Sequence, residues 1–418
     1  MRYFRCSLLA VLFIAIPSTS FSGEEGAFSI VDDGKTLTVK FGEKIVLRYN
    51  IAAVPSPDEA KPYYARSGHI HPVFTPAGHA VTGDMCPDHI HQHAIWFAWT
   101  NAVYDGRKID FWNSQAQQGR VEHAEVVGKE WSDNAATFRV RLNHVDLTGD
   151  QPRDVLQEIW TVEVEEKQGV YVIDLESVQA CATDKPLHLK KHHYGAMGLR
   201  APMDWNEPRG GFLTSEGKTR ANGNHTRPQW VDSFGPVEGD GDEQAFAGLT
   251  VMQHPTNFRF PQPVRLHPKF SYFCYAPMVL GDFSIEPGDD YVSRFRYVVH
   301  DGKLNKELTA ALWAEYRDRY KAAQEAGVTV QVRIAADGAI TINGDAATQE
   351  TFVDQFAQVL KRHKESDAKD NPVSVSIVAH EDLPYAKVIE VLQMANQAGE
   401  RASVAIKKVS FRADKQQD

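Results

Sequence analysis

Cysteine, basic clusters and long apolar runs are all scarce in this chain, and each shortage narrows what the protein can be. Only Cys6, Cys86, Cys181 and Cys274 occur in 418 residues, with no C-x-x-C pair. Cys6 lies in a leader-like N-terminus, which leaves an odd three. One disulfide plus a free thiol fits this count, and so do three small buried hydrophobes; the sequence does not choose. The net charge is −10 and no block of lysine and arginine interrupts it, so nucleic acid is not an expected partner. Beyond the N-terminus no run approaches the ~20 apolar residues of a spanning helix. No membrane span is therefore expected once the leader is removed.

The leader itself is legible. "MRYFR" supplies positive charge, "LLAVLFIAI" a short apolar core, and "STSFS" small residues at Ser20 and Ser22. Residues 1–22 read as an export signal cleaved before Gly23, which places the mature protein in the periplasm or outside the cell.

From residue 27 to 302 apolar and polar residues alternate, as in "AATFRVRLNHVDL" and "LQEIWTVEVEEKQGVYVIDLESV". Period two with β-branched and aromatic residues, broken by Gly, Asp and Pro, predicts a mainly β protein built on a large antiparallel sandwich. Residues 52–88 and 201–246 read as long irregular loops, of the kind that carry or cover function. A helix-period stretch follows, with Leu304, Leu308, Leu312 and Tyr316 four apart and Gly327 ending it, so residues 303–327 read as a connecting helix. Residues 328–412 then predict a small α/β domain in the order ββαβαβ. Its hairpin turns at "ADGA", and a last helix is capped by Gly399.

The small domain resembles the periplasmic domain of the ExbD/TolR family, on "DGAITING", "VSIVAHEDLPYAKVIEVLQMANQAG" and the strand that follows. The helix that opens on Pro384-Tyr385 and closes on Ala398-Gly399 carries the match. The resemblance implies self-association or docking to an envelope or cell-wall partner. It does not imply ion-driven force, because a polar helix stands where motor members carry an acidic membrane helix. Residues of about 40–302 resemble the PmoA-like family. The carriers are "DHIHQHAIWFAW", "KIDFWN", "HHYGAMGLRAP", "WVDSFGPV", "AGLTVMQHPTNFRFPQPV" and "IEPGDDYVSRFRYVVHDG". This resemblance implies an exported β-sandwich related to the sugar-handling supersandwich folds and brings no established reaction. Genuine methane oxygenase activity is not expected, since that copper subunit is a multi-helix membrane protein.

The chemistry concentrates in "DHIHQHAIWFAW". On a strand His89, His91 and His93 would share one face, with His89 and His93 about 13 Å apart at ~3.3 Å per residue. One ion could then take at most two neighbours, completed by His69 and His71 or by His192 and His193, with Asp88 orienting an imidazole. Without a metal, imidazoles serve as general acid and base. Trp96, Trp99, Trp112 and Trp230 offer flat faces to a sugar ring, and Arg200, Asp232, His254 and Asn257 clamp its hydroxyls or a carboxylate. Asp88, Asp110 and Asp232 are the carboxylates available to a glycosidase pair. Against these readings, a histidine in a sandwich is commonly a hydrogen-bonded structural residue and a tryptophan commonly core.

The expectation is an exported sandwich that binds a carbohydrate-like small molecule, with its chemical processing left open by the sequence. His91 or His193 would be the acid/base, His89, His93 and Asp88 stand beside them, and the C-terminal domain is a homodimer or docking module. A non-enzymatic envelope sensor and a His-ligated metalloprotein are the alternatives. The sequence names neither metal nor cofactor.

Overall fold

The computed structural model describes residues 26–239, 245–319, 328–343, 345–365, 373–380, 383–404 and 406–414. The signal peptide and the Gly327 helix end lie outside them. The chain divides into two compact units, Met1–Leu304 and Asn305–Asp418.

In the first unit period-two patterning produces strands whose apolar side faces one core. Ala135–Asp146 alternates buried Ala136, Phe138, Val140 and Leu142 with more open neighbours. Arg153–Lys167 and Val170–Cys181 form a hairpin that turns on Gln168 and Gly169, both at positive φ, as a two-residue turn between twisted strands requires. One eight-stranded sheet runs Phe28–Asp32, Thr36–Phe41, Lys44–Asn50, His69–Val73, Ile95–Ala98, Ala196–Arg200, Tyr272–Tyr275, Val264–Leu266. A second runs Gly211–Thr214, Trp230–Val237, Ala245–Gln253, Tyr291–Asp301, Val170–Cys181, Arg153–Lys167, Ala135–Asp146, Gly119–Trp131. A four-stranded sheet joins Phe283–Ile285, Leu187–Leu189, Ala102–Tyr104 and Arg107–Ile109. The strand pairs are antiparallel. Across the core the two large sheets meet in aromatic contacts such as Tyr49 on Phe138, 5.6 Å between ring centroids, and Tyr275 on Phe295 at 5.4 Å.

Two expectations change here. The stretches read as long loops hold the strands His69–Val73, Gly211–Thr214 and Trp230–Val237. Pro236 obscured the last of these. It lies beyond Phe234, which pairs with Gly211 at the end of that ladder, so its missing N–H costs no bond on that side. Cys86, Cys181 and Cys274 are free thiols, the first and last buried.

The second unit opens with the helix Lys306–Arg319, whose Thr309, Leu312 and Tyr316 are buried. Its sheet runs Asp345–Ala347, Ile340–Ile342, Val328–Ile334, Val373–His380, Ile406–Asp414. Antiparallel pairing joins the first three strands and parallel pairing the last three. Val330, Val332, Val375 and Ile377 pack with Phe356, Leu360, Val391 and Ala395 of the helices Phe352–Glu365 and Tyr385–Ala402. The expected ββαβαβ order therefore gains a third N-terminal strand, Asp345–Ala347. The last helix also continues past Gly399, because Ala398 and Ala402 both bury against the core. It ends at Ser403, which takes the left-handed conformation. Among the described residues no helix is long and apolar enough to cross a membrane.

Candidate functional site

The histidine-rich segment is a turn, not a strand. Pro87 and Asp88 bend the chain, His89 N donates to Cys86 O at 2.8 Å and Gln92 N to His89 O at 3.0 Å. Strand geometry begins only at Ile95. The three imidazoles therefore do not share one face. His89 and His91, with ring centroids 5.5 Å apart, line a cavity of about 200 Å³ together with His193, Arg265, His267 and Trp112. Tyr194, Tyr272, Asn113 and Gln92 complete its wall. His193 arrives on the segment that leads into Ala196–Arg200, and Arg265 and His267 arrive on and just after Val264–Leu266.

The cavity holds its imidazoles neutral. Burial pushes His91 and His267 down to about 4 and lowers His89 and His193 as well. His89 and Arg200 act in the same direction on both His91 and His267, Asp110 opposes them at His91, and Arg265 adds to the lowering at His267. His267 Nδ1 accepts the backbone N–H of Lys269 at 3.2 Å and of Phe270 at 3.0 Å, so its proton sits on Nε2. A neutral imidazole with an open nitrogen can accept or relay a proton.

Asp88 does not orient an imidazole. Both its oxygens accept from Arg200 Nη2 at 2.8 Å, and Oδ2 accepts from Asn206 Nδ2 at 2.9 Å. Burial alone would raise the carboxyl, but these donors outweigh it and hold it below its usual range. Arg200 is fully buried and also donates to Gln92. It braces the histidine turn from beneath and is not free to clamp a ligand.

His93 belongs to a different constellation. Its Nδ1 meets Asp84 Oδ1 at 2.8 Å, while His69 Nε2 meets Asp84 Oδ2 at 3.1 Å. Burial would raise Asp84, yet the two flanking imidazoles hold its carboxyl well below the carboxylate range. These three side chains place one ligand atom each within 4.8 Å of one another and could hold a metal ion. His93 is the only one of the three alternating histidines in this set; His69 joins it, as one of the completing ligands expected, and Asp84 takes the place of a neighbouring histidine. It also lines a second cavity of about 310 Å³, with Arg66, Tyr63, Tyr64 and Trp112. Trp112 thus contributes to both cavities.

The remaining candidates are placed elsewhere. Trp96 and Trp99 are fully buried, Trp96 against Trp112 and Trp99 donating to Gln179 at 2.7 Å. They fill core and present no face to a sugar. Trp230 opens a strand of the second sheet and does not line the histidine cavity. Asp232 accepts from Thr250 at 2.8 Å and faces His300 at 3.1 Å. His254 bonds Thr256, and Asn257 exchanges two bonds with the Arg294 backbone, so both serve a loop. Asp110 accepts from the backbone N–H of Trp112 and Asn113 and from Asn113 Nδ2. None of Asp88, Asp110 and Asp232 lines the cavity, so the two-carboxylate arrangement of a glycosidase is not assembled from them.

Arg265, His267, Tyr194, Tyr272 and Asp84 were not singled out from the sequence. For Arg265 and His267 a signal existed. They alternate with Val264 and Leu266, both buried, which puts the two polar residues on one side by the period-two rule.

The fold and site define a mainly β protein with a histidine-lined cavity and an appended α/β unit. Residues 36–314 match the family of unknown function DUF6807, and the chain belongs to that family. The match does not show the PmoA-like resemblance. Residues 315–409 match the biopolymer transport protein ExbD/TolR, as expected from the last helix and its flanking strands. No curated protein matches. Among solved structures, the GH36 α-galactosidase AgaA from Geobacillus stearothermophilus aligns at 11% identity and TM-score 0.30, over 93% of this chain and 56% of the other. The chain thus spans little more than half of that enzyme. A galactose mutarotase related enzyme from Lactobacillus acidophilus aligns at 11% identity and TM-score 0.26, over 66% of this chain and 100% of the other. Likenesses this distant leave function to be argued from the site itself.

Proposed function

We propose that the Met1–Leu304 unit belongs to an exported protein and binds a carbohydrate-like small molecule in the histidine cavity, moving a proton on it. His91 or His193 is the acid/base, and His89 and His267 assist. The observation that carries this reading is convergence: four imidazoles from three separate segments line one small cavity beside Trp112, Tyr194 and Tyr272. An aromatic face suits the C–H side of a sugar, and neutral imidazoles suit its hydroxyls. The absence of a carboxylate from that lining favours imidazole proton transfer over hydrolysis by paired acids. The Asn305–Asp418 unit then serves as a self-association or envelope-docking module.

The test is a panel of monosaccharides added to the full chain, with binding read by calorimetry and turnover by NMR. His91→Ala is expected to abolish turnover and weaken binding while leaving unfolding nearly unchanged. Intact affinity together with a loss of several kcal/mol in stability would make His91 a structural residue instead.

A further inference from the structure

We infer that the ligand of the histidine cavity is an acidic sugar, whose single carboxylate is received by Arg265. This rests on the carbohydrate reading above and names its substrate class. Arg265 sits in the middle of the Val264–Leu266 strand, partly buried, and lines the cavity. Its hydrogen bond is a long one, Nη1 to the Leu266 carbonyl at 3.4 Å. Among the described residues no carboxylate pairs with it.

Arg66 aside, which is buried and donates to the Phe97 carbonyl, that solitude contrasts with several other inward guanidinium groups of the same unit. Arg200 is gripped by Asp88, Arg296 by Asp174 and Arg294 by Glu176. Arg220 is capped by the carbonyls of His267 and Phe270. A cation drawn partly out of water without a counter-charge is costly, and a site built to receive an anion offsets that cost when the ligand arrives.

The rest of the wall agrees. Among the residues that line the cavity there is no aspartate or glutamate. The acids of the adjoining segments are already engaged, Asp88 by Arg200 and Asn206, and Asp110 by Trp112 and Asn113. His267 adds a neutral donor through Nε2–H, because its Nδ1 is taken by two backbone amides. With the surrounding imidazoles uncharged, the wall offers one fixed positive charge. One carboxylate matches it, whereas a phosphate dianion would be left half neutralised. Arg is also the side chain whose planar fork fits a carboxylate with two parallel bonds.

The experiment compares glucuronate and galacturonate with glucose, galactose and glucose 6-phosphate. Each is titrated calorimetrically into the full chain and into Arg265→Gln and Arg265→Lys. The uronates should bind about tenfold or more tighter than their neutral counterparts, as one charge-assisted hydrogen-bond pair implies. Arg265→Gln should remove that preference, read as the ratio of uronate to neutral-sugar affinity, and Arg265→Lys should keep part of it. Equal affinity for uronates and neutral sugars overturns the acidic-sugar assignment and leaves the carbohydrate reading standing. So does a uronate preference that survives Arg265→Gln. Tighter binding of the phosphate than of the uronates overturns the carboxylate. Binding of no sugar at all defeats the carbohydrate reading and this inference with it. Should Arg265→Gln not fold, the uronate preference of the wild type and of Arg265→Lys decides.

Discussion

Asp88 accepts Arg200 Nη2 on both of its oxygens at 2.8 Å, and this pair fixes the floor of the histidine turn. Arg200 is fully buried and the Asp88 side chain is 14% exposed. Removing the acid strands a buried guanidinium. Asp88→Ala is expected to cost about 3–5 kcal/mol, the range for breaking a buried ion pair. Urea unfolding measures it. A loss below about 1 kcal/mol, the level of a surface pair, would show that the turn does not depend on this contact.

How far the sequence disclosed this arrangement depends on the element. Long alternating strands such as Ala135–Asp146 and the hairpin on Gln168-Gly169 were legible, because burial follows period two there without interruption. The histidine segment was not. His-x-His-x-His has the period of a strand, but Pro87 and the hydrogen bonds from His89 and Gln92 back to Cys86 and His89 make it a turn. His91 and His193 were identified from sequence as residue types and do line one cavity. Their partners Arg265 and His267 lie on and just after the short strand Val264–Leu266, where alternation with two buried residues was the one signal. Asp84 is a lone acid in an irregular stretch, and only folding brings it between His69 and His93.

The cavity imidazoles predict an acid-side loss of stability. His91 and His267 sit near 4 in the folded protein, against an ordinary value of 6.5. Above about pH 6.5 neither folded nor unfolded chain protonates them and they add no pH dependence. Between about 6.5 and 4 the unfolded chain binds protons that the folded one refuses, so stability falls as pH falls. For His91 the slope approaches about 1.4 kcal/mol per pH unit at most; His267, more open to water, contributes less. Urea midpoints at pH 7, 6 and 5 should drop in the wild type and drop less steeply in His91→Ala. Identical slopes would contradict the low value assigned to His91.

At Asp84 the two imidazoles stand at ordinary hydrogen-bond distances, 3.1 and 2.8 Å. With no ion bound, each ring spends a proton on the carboxylate. Chelation with EDTA is expected to leave the melting temperature unchanged. Asp84→Ala should lower stability by about 3 kcal/mol or more, as loss of a buried charged partner does. A melting temperature that falls on chelation and returns with zinc would show that this trio is a metal site.

The second unit ends its sheet on two unequal edges, Asp345–Ala347 and the nine-residue Ile406–Asp414. A long edge carries unpaired backbone groups that a second copy can satisfy. Residues 305–418, expressed alone, are expected to fold and to form a dimer at high micromolar concentration. Light scattering that gives a concentration-independent monomer mass would leave docking to another partner as the role of this unit.

The most direct measurement of the central claim is a long-range proton–nitrogen NMR spectrum of the histidine rings in the full chain, recorded while a monosaccharide is titrated in. His89, His91, His193 and His267 line one cavity, so their four signals are expected to move together with a single dissociation constant. His144, buried against Glu158 at 2.8 Å, should not move. If saturating sugar, neutral or acidic, leaves those four rings unshifted, or shifts them with unrelated affinities, the histidine cavity is not a carbohydrate site.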